Sequence, residues 1–117
     1  MNRIKTIATV MLAAGLAIAM TALAALAASE FEGVWVVKDS AGKPFEITLS
    51  ADGKATSTQE KAKEGTWKEE GGSAVISWTT GWITKITREG DHYVKAAFKK
   101  GLPLDGPPTN KSDAQKK

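Results

Sequence analysis

Apolar and polar residues alternate along much of this chain with the period of β-strands. Phe45, Ile47 and Leu49 are interleaved with Glu46, Thr48 and Ser50, which places the apolar set on one face of a half-buried strand. Near the end of the patterned region, Val94, Ala96 and Phe98 alternate with Tyr93, Lys95 and Lys99. That alternation predicts a strand with Val94, Ala96 and Phe98 turned inward. The stretch from Phe31 to Lys38 is rich in β-branched and aromatic residues and predicts the first strand. Its Phe31, Gly33, Trp35 and Val37 share a face, but Val34 and Val36 make the other face apolar too. Such a strand is buried on both sides or shows apolar surface to something else. Further strands are predicted over 65–69, 73–78 and 82–88, with a mostly polar returning strand over 54–60. In the strand that starts at Trp82, Trp82 and Ile86 share one face and Ile83 takes the other.

The segments between these strands carry turn chemistry. They are Asp39-Ser40-Ala41-Gly42, Asp52-Gly53, Gly71-Gly72, Thr79-Thr80-Gly81 and Gly90-Asp91. Asp52-Gly53 is the strongest hairpin signal of the set and calls for a positive φ at Gly53. Turns this short force consecutive strands to pair antiparallel. The expected fold is all-β: an up-and-down meander of about seven or eight strands that closes into a small barrel or curls strongly, because closure removes the edges. A two-sheet sandwich is the alternative. The domain is expected over 29–100. After Lys100 the alternation stops, and Pro103, Pro107 and Pro108 sit among polar residues. Residues 101–117 therefore read as a flexible C-terminal tail, with Leu102 and Leu104 able to pack back and at most a frayed helical turn near the end.

The first 28 residues follow a different pattern. Arg3 and Lys5 precede an apolar run from Ile7 to Ala28, which ends in the small-x-small sequence Ala25-Leu26-Ala27. Basic, apolar and small segments in that order predict a helical secretory signal peptide, cut after Ala27 or Ala28. The run of about 22 residues is long enough to anchor in a bilayer. However, it is alanine-rich, and the next charges are Glu30 and Glu32 rather than a basic stop signal. A periplasmic or secreted protein is expected, touching a membrane only if the signal stays uncleaved.

Composition narrows the partners. The chain holds 16 Lys and Arg against 13 Asp and Glu. Once Arg3 and Lys5 leave with the signal, acid and base are nearly balanced and interspersed along the chain. A nucleic-acid partner needs a concentrated basic patch, so none is expected. There is no cysteine, so no disulfide holds a mature chain of about 90 residues, and its stability rests on core packing.

No catalytic constellation emerges. His92 is the single histidine; it follows a turn, and no nucleophile motif flanks any serine. Glu69 and Glu70 are neighbours in one strand and so point to opposite faces. The expectation is a protein that is not an enzyme and uses no cofactor or metal. The four tryptophans are the residues best suited to binding. Trp35 and Trp67 lie within strands and read as core. Trp78 and Trp82 flank the Thr79-Thr80-Gly81 turn, with Lys85, Arg88 and Tyr93 on the strands that follow. Trp78, Trp82, Lys85, Arg88 and Tyr93 form the candidate ligand-binding set.

Gly33-x-Trp35 opens the first strand, and the series Phe45, Asp52-Gly53, Gly65-Thr66-Trp67, Ile76-x-Trp78 follows. In these features the chain resembles lipocalins and other calycin-type barrels, in particular small bacterial lipocalin-like domains. The resemblance spans residues 31–98 and implies a barrel with an apolar pocket. Together these readings predict an exported, non-enzymatic binding module for a small ligand. The alternative is an envelope domain that binds or inhibits another protein.

Overall fold

Eight strands in unbroken up-and-down order pair with their chain neighbours, and the last pairs with the first. The computed structural model describes residues 29–61 and 63–117; the expected signal helix over 1–28 lies outside them. The strands are β1 (Gly33–Lys38), β2 (Pro44–Leu49), β3 (Lys54–Ser57), β4 (Glu64–Glu70), β5 (Ser73–Trp78), β6 (Ile83–Glu89), β7 (His92–Phe98) and β8 (Asn110–Lys116). All pairs are antiparallel, as short connections require. The sheet is a closed barrel rather than a two-sheet sandwich.

Three connections repeat one design. In 39–43, 50–54 and 78–82 the fourth residue is a glycine whose N–H donates to the carbonyl of the first. The N–H of the first residue donates to the carbonyl of the fifth. Gly42, Gly53 and Gly81 take φ of 81°, 89° and 95°, where a Cβ is strongly disfavoured. The positive φ expected at Gly53 is present, in a turn longer than the two-residue loop that Asp-Gly most often closes.

Closure corrects the expectation for the C-terminus. Residues 110–116 are not part of a loose tail or a helical turn. They form β8, paired with β7 from Tyr93↔Ala114 to Ala97↔Asn110 and with β1 at Trp35↔Lys116 and Val36↔Gln115. The strand carries no hydrophobic alternation because its inward positions are Asn110, Ser112, Ala114 and Lys116, of which only Ala114 is a buried apolar residue. It adds little to the hydrophobic pattern. What it supplies is backbone pairing for two otherwise open edges.

The inner face of β7 also reverses the expectation. Tyr93, Lys95 and Ala97 point into the barrel; Val94, Ala96 and Phe98 point out. The register fixes this, since Lys95 lies opposite Ile86 and Ala97 opposite Thr84, and directly opposed residues share a face. Ile86 is fully buried in the core. Phe98 is nonetheless 4% exposed. It sits on the outer wall in a shallow groove shared with Pro108, Val94 and Ala96. A covered outer face therefore imitated an inner one.

The core runs through the barrel from Phe31 and Trp35 to Ile47, Ile76, Ile86 and Trp78. Trp35, Trp67 and Trp78 each find an acceptor for the indole N–H, as burial demands. Trp35 Nε1 donates to the Phe31 carbonyl at 2.8 Å and Trp67 Nε1 to the Ser50 carbonyl at 2.8 Å. Trp78 Nε1 donates to Thr84 Oγ1 at 2.9 Å. At the end where β1 begins, Phe31, Trp35 and Tyr93 pack as an aromatic plug, with Trp35 and Tyr93 rings 4.8 Å apart. The connections after β1, β3, β5 and β7 gather at the opposite end.

Candidate functional site

At that opposite end the barrel interior is not filled. A cavity of about 730 Å³ opens there. Its inner wall comes from strand ends that aim alternate residues at the axis: Phe45 from the start of β2, Trp78 from the end of β5, Thr84 from β6, Lys95 from β7 and Asn110 from the start of β8. Trp82, immediately before β6, adds a half-buried aromatic wall packed against the core. Asp39, Ser40, Lys43 and residues 58–61 form the rim.

The tryptophan pair is held by the 78–82 turn. Trp78 N donates to the Trp82 carbonyl at 3.0 Å and Gly81 N to the Trp78 carbonyl at 2.9 Å. These bonds tie the two indole-bearing residues to one rigid loop. Trp78 is 6% exposed and belongs to the core as much as to the cavity.

The unusual member of the wall is Lys95. It is 2% exposed, yet it carries an ammonium group. Nζ donates to Asn110 Oδ1 at 2.5 Å, and Asn110 Nδ2 donates in turn to Ser40 Oγ at 2.8 Å. Nζ also lies 5.8 Å from the centre of the Phe45 ring, within cation–π range. Burial pushes the Lys95 pKa down to about 8, partly opposed by the negative charge of Asp39. Near pH 7 the group remains mostly protonated. Asp39 does not reach it as a contact partner. The Asp39 Oδ1 accepts instead from Ala41 N and Lys43 N, both at 2.9 Å, and shapes its own turn.

Of the five residues grouped by sequence, the structure brings two together. Trp78 and Trp82 share the cavity. Lys85 faces outward, opposite Val75 and Ala96, in the shallow outer groove. Arg88 lies near the far end, where Nε donates to the Gly90 carbonyl at 3.2 Å. Tyr93 is inside, but at the plugged end against Trp35 and Phe31. Proximity in sequence failed as a guide because a strand of seven residues spans the barrel from end to end. Residues that follow Trp82 in the chain soon reach the other side. Phe45, Thr84, Lys95 and Asn110 were not anticipated. For Lys95 one sequence signal existed: it shares the parity of Tyr93, the larger side chain of that strand.

His92 is exposed beside Asp91, with Nδ1 3.5 Å from the carboxylate, at the plugged end and away from the cavity. Glu70 is also exposed and pairs with Lys68 at 2.8 Å.

No protein-family model, curated protein or solved structure matches the chain, so the geometry of the site carries the functional reading.

Proposed function

We propose that this chain is an exported, non-enzymatic binding module that holds a small ligand in the cavity at the unplugged end of the barrel. The observation that carries the reading is the cavity itself, about 730 Å³ and walled by Phe45, Trp78 and Trp82. Small-molecule sites are concave, largely apolar and about 300–1,000 Å³ in volume, with a few convergent polar groups. Thr84, Lys95 and Asn110 are such groups. A protein-docking domain would instead present a broad apolar patch. Among the described residues, Leu102 is the one large apolar side chain that is exposed. Export rests on Arg3, Lys5, the apolar run and Ala25-Leu26-Ala27. The likeness to lipocalin-like domains rests on the Gly-x-Trp strands, and an eight-stranded meander is compatible with it.

The test uses N-phenyl-1-naphthylamine, a neutral dye that brightens in apolar sites. It is expected to bind the chain from Ser29 onward at one site. Trp82→Ala is expected to weaken it by about 2 kcal/mol while the fold survives, because Trp82 is only half-buried. Trp78→Ala is expected to lower folding stability by about 3–5 kcal/mol. An absence of dye binding, or a Trp82→Ala variant that binds as well as the wild type, would overturn the reading.

A further inference from the structure

Lys95 is more than a wall residue. An ammonium group has three N–H donors. Asn110 Oδ1 takes one of them. Among the described residues no carboxylate lies within ion-pair distance of Lys95. Burying an unpaired charge costs several kcal/mol unless a partner compensates it, and a leucine or methionine would fill the same space without that cost. The residue is 2% exposed and lies on the cavity wall. Its position is fixed by a relay, Lys95 to Asn110 to Ser40, that ties three parts of the barrel together. A buried, positioned and incompletely partnered cation facing an aromatic cavity is the recognition element for an anion.

We infer that the cavity takes a small monoanion, a carboxylate carried on a flat apolar body, with Lys95 as its counter-ion. The inference rests on the binding-module reading and names its ligand class. The apolar body follows from Phe45, Trp78 and Trp82, the aromatic side chains that line the cavity. A single negative charge follows from the balance at the site: Lys43 and Lys61 at the rim and Lys95 inside stand against the carboxylates of Asp39 and Glu60, which leaves one net positive charge. A second negative charge on the ligand would find no further net positive charge, since the rim lysines Lys43 and Lys61 are offset by Asp39 and Glu60. Cationic ligands are excluded by Lys95 itself. The carboxylate would accept the two N–H donors that Asn110 leaves over. Because Lys95 attracts it only when protonated, affinity is expected to fall as pH rises through about 8, where the unliganded lysine loses its proton.

Calorimetric titration near pH 7 with 2-naphthoate, 2-naphthalenemethanol and 2-naphthyl phosphate tests this on the wild-type chain and on Lys95→Met. The wild type is expected to prefer the carboxylate over the alcohol by at least about tenfold, and the carboxylate over the phosphate. Lys95→Met is expected to lose the preference for the carboxylate over the alcohol. Equal binding of acid and alcohol by the wild type, or a preference that survives in Lys95→Met, overturns the inference while the pocket stands. Tighter binding of the phosphate overturns the single-charge assignment. Failure of all three compounds on the wild type removes the binding-module reading and the inference with it. Should Lys95→Met not fold, the wild type alone decides. Its naphthoate affinity must drop by up to about tenfold per pH unit above pH 8 while its affinity for the alcohol stays level, and a pH-independent naphthoate affinity overturns the inference.

Discussion

A lysine inside a barrel of this size leaves a signature in stability. Its folded pKa is about 8, below the 10.5 it has when solvated. Between those values the unfolded chain binds more protons than the folded one, so stability rises with pH across that window. The full gain is up to about 3 kcal/mol, fully present only above the unfolded pKa and absent below the folded one. Lys95→Met removes the group and its desolvation penalty. The variant is expected to be more stable than the wild type near pH 7, with the difference shrinking as pH approaches 10.5. Chemical denaturation of both chains at pH 7, 8, 9 and 10 measures it. A constant difference would show that Lys95 titrates normally in the folded state. A stabilising substitution at an interior position is what a site kept for binding rather than for folding would give.

Strand by strand, what the sequence could convey depended on how each strand earns its place. β1 and β2 bury Trp35, Val37, Ile47 and Leu49; β2 alternates cleanly, β1 stands out by its β-branched and aromatic residues, and glycines at positive φ mark where they turn. β7 carries a misleading alternation, because Phe98 is covered from outside and Lys95 is buried within. β8 carries almost none, because it is held by backbone pairing on both sides and buries only Ala114. The candidate site was half legible for the same reasons. Trp78 and Trp82 stand out as aromatics beside a turn, whereas Lys95 and Asn110 are polar residues at inward positions of β7 and β8, which the hydrophobic pattern does not mark. The role of β8 is open to a direct check. A chain ending at Thr109 would expose the edges of β1 and β7 and remove Asn110 from the cavity. It is expected to lose its cooperative melt and to aggregate, seen as rising light scattering. A dispensable tail would leave the melting temperature unchanged.

Across the whole barrel, the two ends have been given different work. Eight strands enclose an interior just wide enough to be filled by side chains or to hold one small ligand, and this barrel divides the space. Phe31, Trp35 and Tyr93 fill one end, and the cavity occupies the other. The plug sets a limit on how the chain can be processed. Phe31 is fully buried, and its carbonyl accepts the indole N–H of Trp35. Any cut that removed Phe31 would open the plug and orphan that N–H. The small-x-small signal at Ala25-Leu26-Ala27 lies upstream of it, so cleavage after Ala27 or Ala28 spares the plug and all eight strands. The processed protein is therefore expected to begin at Ala28 or Ser29, to be recovered outside the cytoplasm, and to melt cooperatively without its first 28 residues. Intact-mass measurement of the exported protein reads the first residue directly. A start beyond Phe31 in a folded protein would contradict the plug, and Met1 on a membrane-bound product would contradict the signal.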